Sequence, residues 1–369
     1  MGVSNTVSLH EVPDQPRDRA IDTIRAVAIG GVVLGHWLVT GLVLEPGGGL
    51  DQASPLRALP SFAPATWLLQ TLGLFFFAGG YAAARSRRSL PRRLTRLVLP
   101  VAGFGALWTL VLLCAAAAGV PGVTLDTVGT LVVSPLWFLL PFVALLALTG
   151  PLRRIGPVAI LPAVAAVGLA DAGIGTLPLT VLAAWLVPYT LGMALATGRL
   201  ASPRTGIALL AGGAVAMAVL IRWLDYPMSA VGVPGQGRSN LSPPSLFTLA
   251  LATAQIGAAL LIRPWLNRRA TPPFVAVLNR TAMPIYLWHQ SALIAVVAGM
   301  AWLTSGTPIP GLHTAPDSLT WVAARALWFP VFATVLAAAC VAFPGTGGRV
   351  DTARRPIGQV GTAGARGVR

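Results

Sequence analysis

Asp22-Thr23-Ile24-Arg25-Ala26-Val27-Ala28-Ile29-Gly30-Gly31-Val32-Val33-Leu34-Gly35-His36-Trp37 decides the fold. The stretch is an apolar helix with an acid and an arginine at one end and a histidine in its middle. Arg25 and His36 are eleven residues apart, roughly three helical turns plus 20°, so their side chains share a face. They lie roughly 16 Å apart along the axis at the α-helical rise. Asp22, three residues before Arg25, falls near the same face. A helix of this kind across a bilayer puts Arg25 at one membrane surface and His36 near the midplane. An ionisable residue at that depth marks a functional site.

Composition supports the membrane reading. The chain has 369 residues, is 55% hydrophobic and only 10% charged, and has a mean hydropathy of +0.74. Soluble domains carry about 25% charged residues. The net charge of +15 raises the question of nucleic acid, and the distribution answers it. All 26 basic residues are Arg, set in short clusters between apolar runs, which is the topogenic pattern of a polytopic helical protein. No nucleic-acid partner is expected. Cys114 and Cys340 each sit in an apolar run, near opposite membrane faces, and read as small core hydrophobes rather than a disulfide or a metal site. Residues 1–20 mix Arg17 and Arg19 with Glu11, Asp14 and Asp18, which is not the pattern of a cleavable signal peptide.

Ten runs are long enough to span: 23–44, 66–84, 97–118, 131–148, 155–171, 177–197, 205–223, 246–262, 282–303 and 319–343. The fifth is the weakest, with Pro157 and Pro162 inside it. With the N-terminus in the cytoplasm, 22 arginines fall on the cytoplasmic side. Only Arg57, Arg222 and Arg238 fall outside, and Arg325 lies within the last span. That asymmetry predicts an all-α polytopic membrane protein of about ten helices with both termini cytoplasmic. Residues 1–22 form a cytoplasmic segment, 23–343 the membrane domain, and 344–369 an Arg- and Gly-rich tail expected to be disordered. The outer loops 45–65 and 224–245 are long enough to cap a cavity and equally serve as connectors.

Few residue types inside the spans can do chemistry. His36 is first. A histidine packed against a carbonyl is the plain alternative, but bilayer depth and register with Arg25 and Asp22 favour function. An imidazole, which titrates near neutrality, can take a proton from a hydroxyl and pass it on. Arg25 with Asp22 makes a cationic site below His36 for an anionic donor. A second constellation is Arg85-Ser86-Arg87-Arg88-Ser89-Leu90-Pro91-Arg92-Arg93-Leu94-Thr95-Arg96, on the same side as Arg25. Arg93 and Arg96 can present two guanidinium forks to a phosphate-rich ligand, with anionic-lipid contact as the alternative. His289, in Met283-Pro284-Ile285-Tyr286-Leu287-Trp288-His289-Gln290, lies one to two turns into the ninth span, where a packing role and a site role are both open. Arg325 needs a carboxylate, carbonyl or water partner. His10 and His313 receive no role. There is no phosphate loop, zinc spacing or nucleophile elbow, and no intramembrane carboxylate ladder for an ion-coupled pump. A transporter or flippase for a lipid-linked or sugar substrate is the competing class.

Taken together, the motifs resemble those of the acyltransferase 3 family of bacterial membrane O-acyltransferases. They are Arg25-x10-His36; the Phe75-Phe76-x-x-Gly79-Gly80-Tyr81 segment leading to Arg93-x-x-Arg96; Pro135-Leu136-Trp137-Phe138; and Ile285-Tyr286-Leu287-Trp288-His289. The likeness covers 17–343, and Asn240-Leu241-Ser242-Pro243-Pro244-Ser245-Leu246 is similar to an actinobacterial branch. The resemblance implies transfer of an acyl group, often acetyl, from cytoplasmic acyl-CoA to a hydroxyl of a cell-envelope carbohydrate, glycolipid or related acceptor. It implies that Arg25 and His36 are essential and that the loop arginines Arg88, Arg92, Arg93 and Arg96 bind acyl-CoA; Asp22 and His289 are candidate supporting residues from their own placement. The acyl-CoA is then a substrate, with no bound cofactor and no metal, in a multi-pass protein of the plasma membrane surrounded by membrane lipids. Gly79 stands where the family's usual Ser would be.

Overall fold

The computed structural model describes residues 18–86 and 89–344. Arg87, Arg88 and the expected tail after 344 lie outside the described residues. The elements in chain order are α1 (Arg19–Val39), β1 (Gly41–Leu44), β2 (Leu50–Ala53), α2 (Pro55–Ala58), α3 (Thr66–Leu69), α4 (Leu72–Arg85), α5 (Leu90–Ala117), α6 (Gly122–Val133), α7 (Leu139–Ala147), α8 (Thr149–Ile155), α9 (Ile160–Asp171), α10 (Leu177–Ala196), α11 (Pro203–Trp223), α12 (Leu246–Arg268), α13 (Pro273–Arg280), α14 (Ala282–Leu303), α15 (Leu319–Leu327) and α16 (Phe329–Ala342). Among the described residues nine helical stretches are long and apolar enough to cross a membrane, and α15 with α16 makes a tenth bent by 41°. The bend falls at Trp328, and Pro330 follows in the first turn of α16, where a missing N–H is tolerated. The protein is an all-α polytopic membrane protein.

Several boundaries differ from the sequence reading. The first helix stops at Val39, not residue 44, so His36 lies in its last turn rather than its middle. Thr40 turns extended, and Gly41–Leu44 pairs antiparallel with Leu50–Ala53 through a turn in which Gly48 has φ +81°. The apolar run Gly41-Leu42-Val43-Leu44 is too short to show a period of its own, so it reads as more helix. The third span begins at Leu90, which puts Arg92, Arg93 and Arg96 inside its first turns rather than in a loop. The weak fifth span is interrupted by a 3-10 turn over Gly156–Ala159 that includes Pro157. Cys114 is exposed on the outer face of α5 and is not a core residue; both cysteines are free thiols.

Where helices meet closely, glycine makes the approach possible. A Cβ on Gly80 of α4 would run into the Tyr189 carbonyl of α10, and a Cβ on Gly192 of α10 into the Phe77 carbonyl. Side chains at these two positions would force the helix backbones apart.

Each end of the bundle is tied by a carboxylate that accepts from a tyrosine hydroxyl. At the arginine-rich end Asp18 caps α1, its Oδ1 accepting from Ile21 N–H at 3.3 Å. Its Oδ2 receives Arg263 Nε and Nη2 at 3.0 and 2.7 Å and the Tyr81 hydroxyl at 3.3 Å. This one carboxylate ties the start of α1 to the ends of α4 and α12. Burial works against its charge, and the Arg263 guanidinium outweighs that and holds the carboxyl below its ordinary value. At the other end Asp171 accepts from the Tyr226 hydroxyl at 2.6 Å and from Leu246 N–H at 2.8 Å. Arg238 lies 3.7 Å over the Tyr226 ring.

Asp18→Asn is expected to cost about 1–3 kcal/mol of stability at pH 7, the range for hydrogen bonds to a charged group. The folded-state pKa is depressed, so the stabilisation is present above pH about 4 and lost as pH falls through the lowered value. Thermal unfolding of both proteins in detergent across pH 3–7 should show a gap that closes at the acid end. An unchanged gap at pH 3 would refute this assignment.

Candidate active site

The site is built where α1 ends inside the bundle. His36 faces α14, and its ring centroid lies 5.1 Å from that of His289. His289 is seven residues after the start of α14, roughly 10 Å along its axis, and is fully buried. His36 is therefore deep in the bundle although it is in the last turn of its helix. The depth comes from the neighbour, not from a position halfway along α1.

Hydrogen bonds fix both rings. His289 Nδ1 faces the Tyr286 carbonyl at 2.8 Å. A carbonyl only accepts, so Nδ1 carries the hydrogen, and Nε2, which has no partner, is left bare in the neutral ring. The Gln290 amide nitrogen donates to His36 Nδ1 at 3.3 Å, while Gln290 Oε1 is buried without a partner. Trp37 Nε1 donates to the His289 carbonyl at 2.9 Å, locking the end of α1 against α14. The Tyr286 hydroxyl donates to the Pro135 carbonyl, bringing in the turn over Ser134–Phe138.

Two cavities meet at this pair. One, of about 360 Å³, contains His36 and Gln290 and extends under Gln52, Ser54 and the loop residues Val231–Pro234 and Ser242. The other, of about 110 Å³, contains Arg25 and His289. Val32, Leu72, Phe138 and Tyr286 wall both. Arg25 and His36 thus do share a face of α1, one opening into each cavity. Asp22, one turn before Arg25, acts on it as an attractive charge, and its carbonyl accepts from Asn279 of α13 at 2.8 Å.

The loop arginines are not gathered at the cavities. Arg93 Nη2 points to the Ala83 carbonyl at 3.5 Å, and Arg153 Nη2 reaches the same carbonyl at 3.1 Å and that of Ala84. Both serve the C-terminus of α4, where cations are favoured. Arg92 and Arg96 are exposed one turn apart on α5. Arg93 is half-buried beside the end of α4 and Arg96 is exposed; Arg88 lies outside the described residues.

A family model described as an acyltransferase domain matches residues 18–344. The chain belongs to the acyltransferase 3 family. No curated protein and no solved structure matches it significantly. This acyltransferase is an enzyme of the multi-pass membrane class. Its Gly79 abuts Phe142: a Cβ there would stand 2.7 Å from the ring, so here the ring takes the space of a side chain. Among the described residues of the acyltransferase no three His, Cys, Asp or Glu side chains cluster as metal ligands.

Sequence reasoning missed Gln290 in the acyltransferase site and gave His313 no role, while Arg325 finds one of the partners expected for it. Gln290 stands next to His289 in the quoted motif, and its uncharged amide at membrane depth was the available signal. His313 is 1% exposed, with Nε2 on the Val297 carbonyl at 2.9 Å and Nδ1 accepting from Ile309 N–H at 3.2 Å; it folds the loop after α14. Arg325 finds carbonyl partners and no acid. Its Nε donates to Trp37 O at 2.8 Å, Nη1 to Gly311 O at 2.9 Å, and Nη2 to Thr40 O.

Proposed function

We propose that the protein moves an acyl group, acetyl in the simplest case, from acyl-CoA on the cytoplasmic, arginine-rich side of the plasma membrane. The acceptor is a hydroxyl of a cell-envelope carbohydrate, glycolipid or related molecule. One observation carries the reading: the His36–His289 pair stands between a cavity holding Arg25 and a cavity under the outer loops. Donor and acceptor can then stay on opposite sides while the hydroxyl oxygen meets the thioester carbonyl carbon.

In this reading Arg25, with Arg92 and Arg96 on the same side, holds the phosphates of the donor. The thioester enters the smaller cavity. His36 takes the proton of the acceptor hydroxyl as its oxygen forms a bond to the thioester carbonyl carbon. The C–S bond then breaks, and the departing thiolate takes the proton from the imidazolium. Gln290 can meet His36 Nδ1 with either end of its amide. With the oxygen inward it accepts from Nδ1–H and leaves Nε2 bare as the base. His289 Nε2, which has no hydrogen-bond partner of its own, is placed to steady the developing imidazolium.

The donor half is tested by equilibrium binding of acetyl-CoA to the purified full-length protein in nanodiscs. Arg25→Ala is expected to weaken binding about 10- to 100-fold, the value of one to two charge-assisted hydrogen bonds. No binding by the unaltered protein at millimolar acetyl-CoA would overturn acyl-CoA as the donor.

A further inference from the structure

The larger cavity holds His36 in a chain with 26 arginines, yet no Arg, Lys, Asp or Glu is among its described lining residues. The arginines at that end stand outside it. Arg238 lies over the Tyr226 ring, and Arg57 abuts Gly235 on the far side of the loop. The polar groups on the wall are uncharged. Gln52, Ser134, Ser242 and Gln290 are the ones the argument needs.

Gln290 is the most demanding of them. It is 2% exposed, its amide nitrogen is engaged by His36, and its Oε1 has no partner. A buried amide on a cavity wall with one end unpartnered is satisfied by a ligand hydroxyl, which both donates and accepts. Around these groups the wall is apolar, with Trp137 38% exposed, a surface that suits the C–H face of a ring. A carboxylate or phosphate entering the same space would lose its hydration with no cation to replace it.

We infer that the acceptor unit bound beside His36 is electrically neutral and hydroxylated, of the class of an uncharged sugar or polyol, and that sugar acids and phosphorylated sugars are excluded. The inference rests on acyl transfer at His36 and adds the acceptor's charge. It also assigns the end of the Gln290 amide turned away from His36 as the group that meets an acceptor hydroxyl.

The test uses cells that make the full chain, the His36→Ala variant, or none, labelled with radioactive acetate. Envelope material is broken by mild acid to single acylated units and passed over an anion exchanger. The label that depends on His36 is expected in the unretained, neutral fraction, at least tenfold over the retained one. His36-dependent label in the retained fraction overturns the neutral-acceptor inference and leaves acyl transfer standing. No difference among the three strains in either fraction overturns acyl transfer itself, and this inference with it.

Discussion

His36→Ala is expected to lower acyl transfer by about 10²- to 10⁴-fold, the range for loss of a positioned general base, with acetyl-CoA binding unchanged. The prediction separates chemistry from folding because His36 holds little else together. Its side chain is only partly buried, lines a cavity, and makes one hydrogen bond, to Gln290. The bonds that lock this region, from Trp37 Nε1 to the His289 carbonyl and from Arg325 to the end of α1, do not involve the imidazole. The measurements are turnover and donor affinity on the same reconstituted sample. Retained turnover in a correctly inserted variant would sink the mechanism. Lost donor binding would instead assign His36 to the donor cavity.

Arg325→Leu carries the largest expected cost in stability, about 3–5 kcal/mol, the value of breaking a buried charged arrangement. The side chain is fully buried and donates to three backbone carbonyls, of Trp37, Thr40 and Gly311. Those oxygens have no water to turn to once the donor is gone. Arg325→Lys should recover little, because one ammonium cannot serve carbonyls that a planar guanidinium reaches along three edges. Thermal unfolding in detergent would show the loss for both variants. A Lys variant as stable as the original would mean that charge alone, not the fork, is what α1 requires.

These residues also show what could be read from the sequence. The spans were legible because each needs about 20 apolar residues, and their alternation was legible because arginines mark one side. The pairing of Arg25 and His36 on one face followed from helical period alone. The end of α1 did not, because Gly41–Leu44 continues the apolar run and only pairing with Leu50–Ala53 makes it a strand. The partner of His36 was equally hidden: His289 and Gln290 are more than 250 positions away, and proximity over that distance is a property of packing. Arg93 shows the same limit. Its basic cluster is legible in the sequence, while its place beside Arg153 on the last carbonyls of α4 depends on a contact between helices. The amphipathic α13 was lost in a loop because eight residues are too few to stand out from their arginine-rich flanks.

The support that Arg325 gives to α1 also sets an order of events during synthesis. Thr40 and Arg325 are 285 positions apart. At 5–20 residues per second the ribosome needs on the order of 15–60 s to make the intervening chain. Throughout that interval the nascent protein already holds its first helix and its histidine, but the carbonyls that end that helix await a donor made 285 positions later. His289 and Gln290 arrive shortly before it. A ribosome that stalls before Arg325 therefore leaves the membrane with a His36 that has no fixed ring, no partner and no closed wall around it. On the proposed mechanism such a chain does not discharge the donor into water, because His289 and Gln290, which fix the His36 ring, are not yet in place.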